Sequence, residues 1–401
     1  MLMMDQLTHR GLAKLASQYG GIFHLRMGIR HIVVVSSPDM ARQVLEARDK
    51  VSNRPTSIAL DYLSYDRANI AFADYSPFWR QMRKLCVIKL FSRARVESWD
   101  SVRDELNEML RVVASNASRL SKARGSLDGF IDSIIDQHVS KRKGKNVTGR
   151  DEGNNDMVDE LLAFYADVGE AKADSDDSPS SIKLTRDNIK GIIMDIMFGG
   201  TETVAAAIEW AMSELLRNPE ELKRTQEELA NTVGLHRCVE EGDFEKLTYL
   251  KCVLKETLRL HPPLPFLPRA TAEDLNVAGY YIPARSRLVI NLWAMGRDNK
   301  CWNDPEAFKP SRFLNVGAPD YKMNNFEFLP FGTGRRSCPG MQLGLYTFEM
   351  GVAHLLHCFN WELPDGMKPS QVDMSDVFGL SALKATRLTA VPTPRLKCPI
   401  Y

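Results

Sequence analysis

The hydrophobic positions along the chain predict more helix than sheet. Apolar residues recur at helical spacing in several long stretches, and shorter apolar runs bounded by turn residues indicate strands. The predicted helices cover residues 7–19, 37–45, 79–90, 97–113, 126–139, 185–216 and 341–359. The predicted strands cover residues 22–27, 31–35, 277–282 and 287–292, the last two as a hairpin. We therefore expect a mainly α fold (α+β), a helical body with small β-sheets.

One stretch near the C-terminus combines glycines, arginines and a cysteine. It runs Phe331-Gly332-Thr333-Gly334-Arg335-Arg336-Ser337-Cys338-Pro339-Gly340 and leads directly into the apolar helix predicted at 341–359. Gly334 and Gly340 permit backbone angles that other residues avoid and leave room for a flat ligand. The positive end of the helix dipole and the neighbouring arginines favour the thiolate of Cys338. Such a thiolate suits a metal such as haem iron.

This stretch has two other possible interpretations. A single cysteine is usually a buried structural residue, but the spacing Phe-x-x-Gly-x-Arg-x-Cys-x-Gly before an apolar helix favours a ligand. A phosphate-binding loop is excluded, because Gly332-Thr333-Gly334 lacks both the third glycine of a dinucleotide loop and the Lys-Ser/Thr ending of a nucleotide-triphosphate loop.

The long central helix carries Gly199-Gly200-Thr201-Glu202-Thr203 in its middle. Two glycines inside a helix cost about 1 kcal/mol each relative to alanine, so their presence calls for a compensating reason. Thr203 lies four residues after Gly199, and its hydroxyl is predicted to bond the Gly199 carbonyl and loosen the helix for a small ligand. Glu202 adds a protonatable group. A plain helix break or close helix packing is the alternative.

Two charged groupings also stand out. Trp79 and Arg83 lie four apart on a predicted helix, where an indole N–H and a guanidinium can reach the same carboxylate. An interfacial Trp–Arg pair is the alternative. Glu256 and Arg259 lie three apart on a helix that ends before His261, and Arg312 follows in a proline-bounded loop. In isolation, Glu256 and Arg259 are interpreted as a solvent-exposed ion pair.

Composition excludes some classes of protein. The chain has 401 residues, 44% of them hydrophobic, and a formal net charge of +1, which gives no reason to expect a nucleic acid partner. Its seven cysteines show no close pairing or zinc-type spacing, so reduced thiols are expected. No run of 18 apolar residues occurs, and the first twenty residues lack an apolar signal core, so no membrane span or anchor is predicted in the chain.

Residues 331–340 resemble the haem-binding loop of the cytochrome P450 monooxygenases. The resemblance implies a single cytochrome P450 domain over residues 1–401, a helical body around haem b, with Cys338 as the axial thiolate ligand of the iron. It also implies that Thr203, with Glu202, delivers protons to dioxygen. Glu256, Arg259 and Arg312 resemble the Glu-Arg-Arg triad that locks the fold of this family, which implies a structural role for these three residues. The remaining residues that it places at the cofactor are Trp79, Arg83, Arg269, Arg336, Phe331, Gly332 and Gly340.

The resemblance also implies partners and a substrate class. No flavin or nicotinamide loop is present, so electrons are expected from a separate NADPH-dependent reductase, with O2 as co-substrate. Residues 362–369, 376–380 and 387–388 resemble one plant branch that hydroxylates the aromatic ring of phenylpropanoids, the ferulate or coniferaldehyde 5-hydroxylases. Leu383 departs from that branch, as does the segment 266–270. Another phenolic such as a flavonoid is the alternative substrate.

Two segments depart from the family pattern. An internal deletion is expected around residues 114–122, where relatives have helices that cover the substrate pocket, and a polar linker is expected at about 141–182. A catalytically impaired haem-binding remnant is therefore a further alternative. The full-length family is expected at the cytoplasmic face of the endoplasmic reticulum membrane, although the anchor lies outside this sequence. His354 and His357 are interpreted as packing or surface residues.

Overall fold

A computed structural model describes most of the chain, in two compact units. The described residues are 8–27, 30–56, 61, 64–92, 123–145, 156–165, 182–321 and 325–397. The larger unit comprises Met1–Pro55, Glu202–Cys338 and Gly344–Tyr401, and the smaller unit comprises Thr56–Thr201 and Pro339–Leu343. That the chain forms a single domain stays a prediction. The helix predicted at 97–113 and the deletion predicted at 114–122 lie outside the described residues.

The main sheet of the larger unit has four strands. Their order across the sheet is Ile22–Met27, Arg30–Val35, Arg287–Asn291 and Phe266–Ala270. The two central strands are parallel, with Val33 opposite Leu288 and Val35 opposite Ile290, whereas the outer pairs are antiparallel. Alternate residues of these strands face a fully buried core.

The predicted hairpin of residues 277–282 and 287–292 is wrong in its pairing. Leu275–Val277 pairs instead with Tyr280–Ile282, across a two-residue turn at Ala278 and Gly279, both with positive φ. Such turns match the twist of paired strands. The strand Arg287–Asn291 joins the main sheet. Two further two-stranded sheets pair Phe359–Glu362 with Val391–Pro394, and Asp376–Val377 with Leu383–Lys384.

The helices of the larger unit follow the apolar spacing closely. They include His9–Tyr19, Pro38–Glu46, Pro219–Val233, Thr248–Leu260, Leu292–Met295 and most of Met341–Cys358. Ser37 caps the second of these helices, because its side chain accepts from the Met40 N–H. His354 and His357 are buried, and their Nε2 atoms lie 3.1 and 3.0 Å from main-chain carbonyls, which confirms them as packing residues.

The smaller unit packs helices around its own apolar core. These helices are Pro77–Lys89, Ala123–Lys145, Met157–Leu162 and the first half of Arg186–Arg217. Leu85, Ile131, Leu161 and Ile189 are completely buried within this core. The helix Ala123–Lys145 extends five residues into the predicted polar linker, so the linker begins later than the sequence predicted.

The helix Arg186–Arg217, called the central helix below, spans 32 residues as predicted. It begins where Thr185 and Asn188 bond each other reciprocally: the Thr185 N–H and hydroxyl donate to the Asn188 side chain, and the Asn188 N–H donates to the Thr185 hydroxyl. In length and composition this helix could cross a membrane, as core helices of soluble proteins also could, and a third of its most apolar window is buried.

Candidate active site

The residues 331–340, called the cysteine loop, bend tightly around Cys338. The Cys338 N–H donates to the Phe331 carbonyl over 2.8 Å, which closes the loop, and a short 3₁₀ turn covers Gly334–Arg336. Gly332 and Gly334 have φ values of 66° and 69°, which favour glycine. Gly340 has no such angle, so the prediction of special backbone angles holds for Gly334 and not for Gly340. Cys338 is exposed, and it lies three residues before the start of the helix Met341–Cys358.

The loop approaches the main sheet closely at Gly332. A Cβ atom on this residue would lie 3.5 and 3.6 Å from the two methyl groups of Leu267 and 3.9 Å from Nη2 of Arg269. Arg269 is 2% exposed and projects from the strand Phe266–Ala270. The side chains of Leu267 and Arg269 therefore lie next to the loop at Gly332.

Two buried guanidinium groups accompany this loop. Arg336 is 6% exposed, and its Nε donates to the Ser52 carbonyl over 2.7 Å. Arg269 donates through Nη1 to the Pro268 carbonyl over 3.3 Å. Buried guanidinium groups bind carboxylates strongly, since charge-assisted bonds are about twice as strong as neutral ones.

These residues fit the predicted haem. An exposed cysteine is a suitable iron ligand, and buried arginines in and beside the same loop match the acidic propionate groups of the cofactor. A side chain at Gly332 would be in van der Waals contact with Leu267, and the positive φ of this residue would strain any substitution. The assignment of individual residues to haem contacts stays a prediction.

Trp79 and Arg83 lie in the smaller unit on the helix Pro77–Lys89. Trp79 is 2% exposed, and its indole N–H donates to the Ile70 carbonyl over 2.9 Å. The Arg83 guanidinium carbon lies 5.6 Å from the centre of the Trp79 ring. The structure thus shows the indole N–H bonded to the main chain and a cation–π contact between the two side chains. Their role at a cofactor carboxylate remains a prediction.

The middle of the central helix is exposed where the glycines occur. Gly199 and Gly200 are exposed, and a Cβ atom on either would meet nothing within 4 Å apart from the helix itself and its adjoining residues. Close helix packing therefore does not explain these glycines among the described residues. Glu202 is exposed and Thr203 is half-buried. The sequence did not predict that the Ser381 hydroxyl donates to Oε2 of Glu202 over 2.7 Å, because these residues lie 179 positions apart.

The predicted structural role of Glu256, Arg259 and Arg312 is confirmed. Arg259 donates to both carboxylate oxygens of Glu256 over 2.7 and 2.8 Å, and Nε of Arg312 donates to Oε1 over 3.0 Å. The Glu256 and Arg259 side chains are completely buried. Arg259 also donates to the carbonyls of Gly296, Pro305 and Ala307, and so ties the helix Thr248–Leu260 to a loop.

Comparison with a family model supports the predicted resemblance. The model described as Cytochrome P450 matches the chain in two overlapping segments, residues 1–121 and 104–387. The segments overlap near the interval in which the sequence predicts an internal deletion. That deletion stays a prediction, since the interval lies outside the described residues.

Individual relatives and solved structures give the same result. The chain is 56% identical to Cytochrome P450 84A1 of Arabidopsis thaliana over 99% of this chain and 90% of that protein. It is 50% identical to Cytochrome P450 84A4 of the same plant, over 100% and 91% of the two chains. A structure of a zebra fish cytochrome P450 with progesterone has a TM-score of 0.74 and 26% identity, covering 96% of this chain and 99% of that one.

Proposed function

The chain belongs to the cytochrome P450 family, whose members are haem-thiolate monooxygenases, and we propose that it hydroxylates the aromatic ring of a phenylpropanoid. The observation that carries this proposal is the 56% identity to one plant cytochrome P450 over 99% of the chain. The likeness of residues 362–369, 376–380 and 387–388 to the ferulate or coniferaldehyde 5-hydroxylases supports the substrate class.

The proposed cofactor contacts divide by chemistry. Cys338 is the proposed iron ligand, because its sulfur is exposed in a loop fixed by its own backbone bond to Phe331. Arg269 and Arg336, and from the smaller unit Trp79 and Arg83, are the proposed partners of the haem propionates. Phe331, Gly332 and Gly340 are the proposed loop positions against the flat face of the cofactor. Haem supplies the iron at which dioxygen is activated.

Glu202 and Thr203 are the proposed proton-delivering residues. A monooxygenation places one oxygen atom of O2 in the product and releases the other as water, so protons must reach the reacting oxygen. Thr203 offers a hydroxyl and Glu202 a carboxylate on the same turn of the central helix. We propose that these two side chains hold protons and pass them to the reacting oxygen.

The family implies a redox partner, O2 and an organic substrate. We propose a separate NADPH-dependent reductase as the electron donor, acting at the cytoplasmic face of the endoplasmic reticulum membrane. Reconstitution with and without that reductase, with NADPH consumption as the readout, tests this partner.

The first test is spectroscopic. Reduced protein exposed to carbon monoxide is expected to show the Soret band of thiolate ligation, and Cys338→Ala is expected to lose it. Retention of that band in Cys338→Ala contradicts the assignment of the ligand. Cys301→Ala is the matched control, because Cys301 is also exposed and lies outside the cysteine loop.

The second test identifies the substrate. Incubation with coniferaldehyde, ferulate and a flavonoid, each with reductase and NADPH, is expected to yield a ring-hydroxylated phenylpropanoid. Exclusive turnover of the flavonoid contradicts the substrate class and leaves the monooxygenase chemistry intact.

A catalytically impaired haem protein is the second candidate. One observation favours it: the alignment to the Arabidopsis relative extends over 466 positions against 401 residues here, so that relative has segments without a counterpart in this chain. A normal thiolate band without turnover of any phenolic supports this candidate. Product formation contradicts it.

A further inference from the structure

Ser381 holds the carboxylate of Glu202 in the larger unit. The serine is 7% exposed, and its Oγ donates to Oε2 of Glu202 over 2.7 Å. Among the described residues this is the hydrogen bond that the Glu202 side chain makes, and no ion pair joins it there. The orientation of the Glu202 carboxylate therefore depends on one hydroxyl from a distant part of the chain.

The position of Ser381 is fixed by the residue that follows it. The Ala382 N–H donates to the Pro263 carbonyl over 2.8 Å. The Ala382 carbonyl accepts from the indole N–H of Trp210 over 2.9 Å, and Trp210 is 1% exposed. Trp210 lies eight residues after Glu202, about two turns along the same central helix. Both main-chain groups of Ala382 are thus anchored, and one anchor is the helix that carries Glu202.

Lys384 strengthens the same attachment. Its side chain is nearly buried, with Nζ 4.8 Å from the centre of the Trp210 ring, and it donates to the Asp373 carbonyl. A cation over an indole face is attractive, more so when it is removed from water. The segment 381–384 is therefore attached to the central helix at Glu202 and at Trp210, and these contacts set the position of the Ser381 hydroxyl.

We propose that Ser381 is a positioning residue for the oxygenation reaction: its hydroxyl holds the Glu202 carboxylate beside Thr203 so that protons are delivered in step with oxygen activation. The proposal rests on the proposed function of Glu202 and Thr203. A hydroxyl both donates and accepts, so Ser381 fixes one carboxylate oxygen of Glu202 and leaves the proton-carrying chemistry to Glu202 itself. Without the hydrogen bond from Ser381, the exposed Glu202 side chain samples several rotamers. Proton delivery then becomes slower than the release of hydrogen peroxide.

Ser381→Ala tests the role in catalysis. Product formed per NADPH consumed is expected to fall about fivefold, the value of one ordinary hydrogen bond, while hydrogen peroxide release rises. The substrate dissociation constant from spectral titration is expected to stay unchanged. With hydrogen peroxide in place of O2, NADPH and reductase, product formation is expected to match wild type, because peroxide brings the oxygen, the electrons and the protons together.

Two further variants separate positioning from general damage. Ser381→Thr keeps the hydroxyl and is expected to restore most of the coupling between NADPH and product. Ser375→Ala removes an exposed hydroxyl from the same part of the chain, bonded to Asp373, and is expected to change nothing. Equal losses with NADPH and with peroxide in Ser381→Ala overturn the positioning role, as does unchanged coupling.

A stability measurement tests the contact independently of turnover. Ser381→Ala, Glu202→Ala and the double variant are compared by urea unfolding, and their effects are expected to be non-additive because the same bond is lost in each. Additive effects overturn the contact itself. A wild-type protein without the thiolate band contradicts the proposed function alone, and the unfolding cycle still decides whether Ser381 holds Glu202.

Discussion

Two groups of arginines in the larger unit form different hydrogen bonds, one group to a carboxylate and the other to main-chain carbonyls. Arg259 and Arg312 bond a buried carboxylate, Glu256, within 3.0 Å. Arg269 and Arg336 bond main-chain carbonyls, of Pro268 and Ser52. The first group carries its counter-charge within the chain, which is the arrangement of a structural lock. The second group lies in or next to the cysteine loop, where the carboxylates of an acidic cofactor would add charge-assisted hydrogen bonds.

The largest effect on stability is expected from breaking the ion pairs of Arg259 and Arg312 with Glu256. Glu256→Gln removes the charge that the buried Arg259 and the partly buried Arg312 share, and breaking a buried ion pair costs about 3–5 kcal/mol. The free energy of unfolding, measured in urea, is expected to fall by that amount with or without haem. Lys223→Met is the control, since its pair with Glu227 is exposed and little change is expected. A loss confined to the haem-loaded protein contradicts the structural assignment.

The second group is expected to act on the cofactor. Arg269→Gln and Arg336→Gln each remove a charge-assisted bond worth about 1.5–3 kcal/mol, so haem transfer to apomyoglobin is expected to accelerate about 10–100-fold. The unfolding free energy of the haem-free protein is expected to change much less than in Glu256→Gln. If haem transfer is unchanged and the unfolding free energy falls strongly, Arg269 and Arg336 have a structural role like that of Arg259 and Arg312, and the prediction is wrong.

The sequence predicted the first group better than the second for a physical reason. Glu256 and Arg259 are three residues apart on one helix, so local spacing already brings them together. The cysteine loop was also recognisable, because its glycines and cysteine are contiguous. In contrast, the contact of Gly332 with Leu267 and Arg269 depends on tertiary packing. The same limit explains the missed Ser381–Glu202 bond, the unexpected partner of the Trp79 indole and the strand pairing of Arg287–Asn291.

The ion pair of Asp376 with Arg10 is intermediate in burial, because the Asp376 side chain is largely buried and the Arg10 side chain is half exposed. Arg10, which is half exposed, donates to both of its carboxylate oxygens, and His9 lies 3.1 Å away. Burial raises the pKa of Asp376, but the bonds from His9 and Arg10 outweigh it, so the pKa lies below the ordinary value of 3.8. The carboxylate therefore contributes stability above pH 4 or so, which is lost as pH falls through the depressed pKa.

Asp376→Asn measures this intermediate case. At pH 7 the variant is expected to lose about 1 kcal/mol of unfolding free energy, because solvent screens the half-exposed Arg10. The difference from wild type is expected to shrink as the pH is lowered below about 4, because the Asp376 carboxyl of the unfolded chain takes up a proton there, whereas the folded protein keeps it ionised until lower pH. A difference that grows in acid contradicts the depressed pKa.

The smallest effect is expected at Arg335, the neighbour of Arg336 in the cysteine loop. Its Nε donates to Asp49 over 3.1 Å, but both side chains are about half exposed, and exposed pairs contribute about 0–1 kcal/mol. Arg335→Gln is therefore expected to change haem transfer less than twofold and to leave the unfolding free energy nearly unaltered. Since Arg335 and Arg336 carry the same charge one residue apart, the two variants separate burial from charge. Equal acceleration of haem transfer in both means that the overall positive charge of the loop retains the cofactor, and that the buried position of Arg336 adds nothing.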